Sequence, residues 1–220
     1  DVLVQNEGWT LLRQAIDNNA AGAECTLSLP AEALPNAVLS GRIVDSGGKP
    51  ISAQIGLISW AFGQGSFFGS GPDGVFVSPA MPAGRYDVRV DAYGCGTLVL
   101  DTVTLQASER RVMPDIVMAP AGRVDVALQV EETPRQCSVN FLREDGVAVT
   151  TVTTLGKLAS CQLPPGTYRA LAQLSLQQVA SATFVVRSND VTTVNLFFAP
   201  VVEVAVECLA HNTITKDHRI

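Results

Sequence analysis

The stretch MPAGRYDVRV, residues 81–90, is answered later in the chain by LPPGTYRALA, residues 163–172. In both copies a proline and a glycine come just before a tyrosine. From Tyr86 onward the first copy alternates apolar and polar residues, the period of a strand with one face toward water. The proline and glycine predict a tight turn that aims Tyr86 into a core, with its hydroxyl in reach of the backbone.

Further matches show that the sequence from about residue 38 to residue 199 repeats at an interval of about 80 residues, the signature of a repeated structural unit. DIVMAPAGRVDV at 115–126 is matched by NLFFAPVVEVAV at 195–206, and SGRIVD at 40–45 by AGRVDV at 121–126. These matches predict four parts: an N-terminal segment 1–37, one domain 38–119, a second domain 120–199, and an orphan strand with its tail, 200–220.

Short apolar runs separated by turn-forming residues fill each predicted domain. In the first domain RIVD, AQIGLIS and GVFVS are separated by GGKP and GPDG, which are rich in the Gly, Pro and Asp residues that punctuate strands. About seven such strands in a domain of this size predict an antiparallel β-sandwich. The fold class is therefore predicted to be all-β, with two tandem Ig-like or transthyretin-like sandwiches.

The spacing of these turns resembles the carboxypeptidase regulatory-like domain of the transthyretin-like class. The elements that carry the resemblance are Gly41 to Val44, Asp45 to Pro50, Asp73 to Phe76, and Pro82 to Tyr86 followed by Ala92 and Gly94. In the second domain the corner formed by Pro164, Gly166 and Tyr168 matches, whereas the Asp-Gly pair has moved to Asp145 and Gly146. The resemblance implies a non-catalytic module that spaces, stabilises or docks within a larger secreted or surface protein.

The composition of the chain argues against two classes of partner, nucleic acids and membranes. The chain has 220 residues, 47% of them hydrophobic, and a formal net charge of -6, so it can build cores but lacks the basic clusters that bind nucleic acid or anionic membranes. The most apolar stretch, LFFAPVVEVAVECLA, is interrupted by Pro200, Glu203 and Glu207 and is too broken to enter a bilayer. We therefore expect neither a nucleic-acid partner nor membrane insertion.

The N-terminal segment 1–37 is predicted to be either part of a preceding unit or an exchange or docking segment, and the other end of the chain leaves a similar choice. Trp9, Leu12 and Ile16 have helical spacing and favour a short helix, after a strand at Val2 to Val4. At the other end, VVEVAVEC (201–208) alternates cleanly, with Val202, Val204 and Val206 on one face. This stretch is predicted either to open a further unit or to be donated to a neighbouring copy by strand addition.

The aromatic and glycine-rich stretch SWAFGQGSFFGSGPDG, residues 59–74, is the main candidate binding loop. The corresponding region of the second domain, FLREDGVAVTTVTTLGKL, has one aromatic residue, so the fold does not require the aromatic cluster. Three interpretations stay open: core packing, contact with a partner protein, and stacking on a carbohydrate. The candidate binding residues are Trp60, Phe62, Phe67 and Phe68.

Cysteine spacing suggests disulfide chemistry in an oxidising compartment. None of the five cysteines forms a CxxC pair or has zinc-like spacing. Cys137 and Cys161 are predicted to form a bridge within the second domain, with two separately buried thiols as the alternative. The pairing of Cys25, Cys95 and Cys208 does not follow from the sequence.

The sequence offers little for catalysis, and we expect no enzyme activity, cofactor or metal. The two histidines, His211 and His218, lie in the last ten residues, away from any predicted domain that could build a catalytic triad around them. Asp45 and Asp73 are isolated acids in turns, where they are expected to cap backbone amides. The chain is thus predicted to be a structural or assembly module of a secreted or cell-surface protein, polymerising by strand addition with neighbouring domains or copies of itself. The alternative is a carbohydrate- or protein-binding module that uses the aromatic loop.

Overall fold

The computed structural model describes residues 2–6, 9–14, 34–61, 63–130, 134, 136–174 and 178–198. These residues form an all-β protein, with no helix among them, which confirms the predicted fold class. Among the described residues, no helix is long and apolar enough to cross a membrane.

The N-terminal residues form a strand pair instead of the predicted helix. Val2–Asn6 (β1) runs antiparallel to Trp9–Gln14 (β2), with Val2 opposite Gln14. The predicted strand at Val2 to Val4 lies within β1, whereas the helix prediction is wrong for residues 9–14. A helix of about two turns is marginal on its own, and pairing with β1 satisfies the same backbone groups. Ile16 lies outside the described residues.

Nine strands between residues 38 and 118 build what we call the first sandwich. They are Val38–Asp45 (β3), Gln54–Ser59 (β4), Gly65–Gly69 (β5), Val75–Val77 (β6), Gly84–Ala92 (β7), Gly96–Val99 (β8), Val103–Leu105 (β9), Arg110–Val112 (β10) and Ile116–Met118 (β11). One sheet has β3 in its centre, with β6 antiparallel to it and β10 and β11 parallel to it. The other has the order β5-β4-β7-β8, with β9 also paired to β7.

Seven strands between residues 122 and 197 build the second sandwich. They are Gly122–Gln129 (β12), Cys137–Arg143 (β13), Ala148–Thr154 (β14), Leu158–Leu163 (β15), Gly166–Gln173 (β16), Val179–Val186 (β17) and Val191–Phe197 (β18). The sheet orders are β15-β12-β18 and β14-β13-β16-β17. This is the strand order of the first sandwich, and in both sandwiches the opening strand pairs in parallel with the closing one. The predicted domain boundaries, 38–119 and 120–199, stay predictions.

Each sandwich buries its own apolar cluster between its sheets. In the first, Leu39 and Ile43 of β3 pack with Ile55, Leu57, Val88 and Val90 of the facing sheet. In the second, Val124, Val126 and Leu128 of β12 pack with Val139, Phe141 and Ala170. The alternating burial along these strands is what the period-two pattern predicts.

The turn motifs of the first sandwich contact one another. A Cβ atom on Gly41 would lie 2.8 Å from the ring of Phe76, so the ring occupies the space above that glycine. Gly74 has φ +75°, and a Cβ there would lie 2.3 Å from the carbonyl oxygen of Ile43. Asp45 accepts hydrogen bonds from the amides of Gly47 and Lys49, both at 2.9 Å. Two of the elements that carry the family resemblance, Gly41 to Val44 and Asp73 to Phe76, therefore pack against each other.

Candidate interaction surfaces

Two arginines hydrogen-bond backbone carbonyls across the junction between the sandwiches. Arg89 of β7 donates through Nη2 to the carbonyl oxygen of Ala148 at 3.1 Å and through Nη1 to that of Val149 at 3.4 Å. Arg143 of β13 donates in the opposite direction, to the carbonyl oxygen of Val99 at 3.0 Å. Val99 belongs to the first sandwich but packs in the core cluster of the second. The junction is thus both apolar and hydrogen-bonded.

Asp145 holds the Arg143 side chain in place. Arg143 Nε donates to both carboxylate oxygens of Asp145, at 3.1 and 3.0 Å, and Nη2 also contacts Oδ2. The Arg143 hydrogen bonds, with a further one from the amide of Val147, lower the pKa of Asp145 to about 2. The carboxylate is therefore ionised over the ordinary pH range, and it keeps the guanidinium pointed toward Val99.

The hairpin turn before β8 completes the junction. The amide of Ala121 donates to the carbonyl oxygen of Gly94 at 2.8 Å. A Cβ atom on Gly96 would lie 2.8 Å from the carbonyl oxygen of Gln162 and 3.3 Å from Pro164. Glycine at position 96 thus allows the backbones of the two sandwiches to approach closely.

The candidate aromatic residues divide between surface and core. Phe67 is 64% exposed, and its ring lies over Gly56 and Gly65, where added Cβ atoms would come within 2.8 and 3.0 Å of it. Phe68 points the other way and packs against the first core, with its ring centre 6.2 Å from that of Phe76. Core packing is therefore the correct interpretation for Phe68 and the wrong one for Phe67. Phe62 lies outside the described residues.

Trp60 is 58% exposed and is held by polar neighbours at the end of β4. Its Nε1 donates to Asp87 at 2.7 Å, and the guanidinium of Arg85 lies over the indole, 4.3 Å from the ring centroid. Asp87 also accepts a hydrogen bond from Thr102 at 2.9 Å. The indole therefore has a fixed orientation on the outer face of the sheet.

The predicted disulfide is not supported. Cys95, Cys137 and Cys161 are free thiols, and Cys137 and Cys161 lie in different sheets of the second sandwich. Burial, with a smaller contribution from Asp125, raises the pKa of Cys161 to about 12, and burial also raises the pKa of Cys137. A raised pKa keeps a thiol protonated and unreactive, which fits the alternative of two separate thiols in the core.

The remaining sequence candidates have the following positions. Asp45 and Asp73 cap backbone amides in their turns, as predicted. No group of three or more His, Cys, Asp or Glu side chains in the described ranges could hold a metal ion. Val202, Val204, Val206, His211 and His218 lie outside the described residues.

Sequence reasoning missed the junction residues Arg89, Arg143, Val99 and Gly96. Arg89 occupies a polar position of an alternating strand, where a solvated charge is the ordinary expectation. Only the Ala-Tyr-Gly-Cys-Gly turn, residues 92–96, gave a local signal of close backbone approach, through its two glycines.

The solved structures named below are at most 14% identical to this chain, with TM-scores of at most 0.34. No protein-family model matches the chain, and no curated protein matches it in sequence. Similar solved structures include the minor pilin GBS52 of Streptococcus agalactiae, at 10% identity, covering 78% of this chain and 100% of that chain, with a TM-score of 0.32. A putative adhesin of Bacteroides ovatus is 9% identical, covering 83% and 99%, with a TM-score of 0.34. The Bacillus anthracis TIE protein is 14% identical, with a TM-score of 0.33, covering 74% of this chain but 34% of that longer one.

Proposed function

We propose that this chain is a non-catalytic structural module of a secreted or cell-surface protein, which holds its two sandwiches as one rigid unit. The observation that carries the proposal is the reciprocal pair of arginine contacts, Arg89 to Ala148 and Val149 and Arg143 to Val99. Domains joined only by a linker move independently by default. Here residues 119–121 separate β11 from β12, and charged donors bond carbonyls on both sides of that short connection.

The packing of the turn motifs supports assignment to the carboxypeptidase regulatory-like class. The Phe76 ring packs over Gly41, and the Tyr86 hydroxyl donates to the carbonyl oxygen of Pro82. These contacts explain why the motif has glycine, phenylalanine and tyrosine at those positions. The shared strand order of the two sandwiches supports a tandem repeat of that domain. Such modules act as spacers, so the rigidity of the junction is the property that the function requires.

The matched pair Gly96→Ala and Gly94→Ala tests the rigid unit. Both glycines have positive φ, +71° and +76°, so alanine strains the two backbones alike. A Cβ at position 96 meets Gln162 of the second sandwich, whereas one at position 94 has no neighbour within 4 Å. We expect ¹⁵N relaxation to give one tumbling time for both sandwiches in the unmodified chain and in Gly94→Ala. Gly96→Ala should separate the two tumbling times, and independent tumbling in the unmodified chain would refute the proposal.

A second candidate function is binding through the exposed rings of the aromatic loop. Exposure of Trp60 and Phe67 favours it, because buried rings would have removed its main support. The partner would be a carbohydrate or a protein at a cell surface. Titration of candidate glycans while following Trp60 fluorescence, with Trp9→Phe to remove the other tryptophan, tests the carbohydrate form. Loss of an observed response in Phe67→Ala would place the ligand on this surface, and an unchanged response would place it elsewhere.

A more specific form of the structural proposal is that the chain polymerises by strand addition. Its donor is the alternating segment 201–208, with Val202, Val204 and Val206 on the face that would enter a partner's core. Alternation of this kind suits a strand that covers one apolar face and leaves the other to water.

A further inference from the structure

The strand β5 has an open edge whose bonding groups can be assigned residue by residue. The amide of Ser59 donates to Gln64 at 2.7 Å and the amide of Ser70 to Ala53 at 2.9 Å, and these bonds bracket the β4–β5 ladder. Because bonded pairs alternate along an antiparallel ladder, Ser66 and Phe68 bond β4. The amides and carbonyls of Gly65, Phe67 and Gly69 therefore point away from β4, toward the open edge.

The chemistry of β5 favours pairing with a further strand. Residues 59–71 contain no charged residue and no proline, and the β4–β5 register has no bulge. Gly65, Phe67 and Gly69 are all exposed. Edge strands of stable proteins are ordinarily protected by charges, proline, bulges or a covering element. The described part of β5 carries none of the first three.

The equivalent strand of the second sandwich, β14, has two features that protect its edge from pairing with another strand. β14 is also terminal in its sheet, but its register with β13 shifts at a bulge between Phe141 and Leu142. Arg89 also caps its edge, by donating to the carbonyls of Ala148 and Val149. β10, another terminal strand, carries Arg110 and Arg111. Of these three terminal strands, β5 alone lacks charges, proline and a register shift. β17 also lacks them and serves as the matched control below.

We propose that β5 accepts segment 201–208 of a second copy of this chain as an added strand. This inference rests on the proposed strand addition and names its acceptor. Residues 199–208 follow the last described residue, and ten extended residues span up to about 35 Å, so the donor segment can lie against a neighbouring molecule. Its valine face would extend the core beside Phe68, while Glu203 and Glu207 would face solvent beside Phe67.

The proposed contact joins two different surfaces of the chain. Each copy donates through its C-terminal segment and accepts through β5, so the two surfaces in every contact are different. Contacts between unlike surfaces generate a ring or an extended filament, and the smallest ring is a dimer whose two copies exchange strands reciprocally. In either case the assembled fraction of the chain should rise with protein concentration.

Two full-length variants and one matched control test the proposal by sedimentation velocity. Gly69→Pro removes one outward amide of β5 without touching a bond to β4. Val204→Pro interrupts the donor segment. Ser181→Pro is the control: β17 is terminal in its sheet, Ser181 is exposed, and the bond from the Leu174 amide to Gln178 sets a register in which the Ser181 amide also points outward. Circular dichroism of each variant checks that the sandwiches remain folded.

We expect the unmodified chain and Ser181→Pro to assemble, with an assembled fraction that rises with concentration. Gly69→Pro and Val204→Pro should each weaken association at least about tenfold. Mixing the two should give a complex with twice the mass of one chain and nothing larger, because only one donor and one acceptor remain. A monomeric unmodified chain would overturn both the inference and the proposed strand addition. Unchanged association in Gly69→Pro alone would overturn the acceptor assignment and leave strand addition standing, and unchanged association in Val204→Pro alone would overturn the donor.

Discussion

The hydroxyl of Tyr86 donates a hydrogen bond to the carbonyl oxygen of Pro82 at 2.7 Å, and the ring between them is buried. The second sandwich repeats this contact, with Tyr168 donating to Pro164 at 2.9 Å. In both sandwiches the bond closes the turn that starts the central strand of the larger sheet. The Pro-Gly-Tyr corner predicted from the sequence is therefore a defined contact in both sandwiches.

Replacing Tyr86 by phenylalanine should destabilise the protein. The ring stays buried, but the carbonyl of Pro82 loses its partner, and an unpaired buried group costs about 1–3 kcal/mol. We expect a lower urea midpoint with an unchanged m value. Tyr93→Phe is the control, since Tyr93 is fully exposed, and it should leave the midpoint unchanged. Equal effects of the two substitutions would contradict a stabilising role for the Tyr86 hydroxyl.

Stability should fall steeply in alkaline solution. Burial raises the pKa of Tyr86 from 10.0 to about 12, and burial with Asp125 raises that of Cys161 from 9.0 to about 12. In the unfolded chain these groups ionise near their ordinary values, whereas the folded state keeps them protonated. The contribution of these two groups to the free energy of unfolding should therefore be constant below pH 9 and decrease as the pH rises through 9 toward 12. Urea titrations at increasing pH measure this decrease, and it should be smaller in Tyr86→Phe. An identical decrease in that variant would contradict the assignment to Tyr86.

The sequence predicted the elements whose causes are local. Turn chemistry and period-two alternation located the strands of both sandwiches and the tyrosine corners, because each depends on residues a few positions apart. The helix prediction for residues 9–14 was wrong because the structure of that segment depends on a partner strand and not only on its own residues. A three-residue spacing of Trp9 and Leu12 fits a helix, and only the partner strand β1 decides against it.

The junction could not be predicted, because its causes are not local. Arg89 and its acceptors Ala148 and Val149 lie about sixty positions apart, and those acceptors are backbone carbonyls, which leave no trace in residue identity. The exposure of Phe67 could not be predicted for the same reason. Its ring covers Gly56 on the neighbouring strand, so its environment depends on the β4–β5 register and not on its own stretch of sequence.

Replacing Gly41 by alanine should destabilise the first sandwich through Phe76. The new methyl group would lie 2.8 Å from the Phe76 ring, which is itself buried and cannot move freely. Overpacking of this kind costs about 1–3 kcal/mol. Gly156→Ala, which adds a methyl group in open space, is the control. A double-mutant cycle with Phe76→Leu should show a favourable coupling, since the smaller side chain leaves room for the methyl group. Strict additivity would contradict the contact.

Acid should weaken the contribution of Asp145 to the junction. Hydrogen bonds from Arg143 and from the Val147 amide lower the pKa of Asp145 from 3.8 to about 2. A carboxyl with a lowered pKa stabilises the folded state at pH values above 3.8, and this stabilisation is lost as the pH falls through 2. Asp145→Asn should therefore be less stable than the unmodified chain at neutral pH. The difference in the free energy of unfolding should shrink as the pH falls and vanish below pH 2.

The same variant tests whether Asp145 acts through Arg143. Without the carboxylate, the guanidinium loses the partner that orients it toward the Val99 carbonyl, so Asp145→Asn and Arg143→Met should cost less together than the sum of the single substitutions. Asp115→Asn, which removes an exposed carboxylate from the connection before β11, should be additive with Arg143→Met. Because the Asp145 carboxylate is itself largely exposed, the coupling should be modest and should weaken in high salt. A coupling as large for Asp115 as for Asp145 would show that net charge, and not the orientation of Arg143, is responsible.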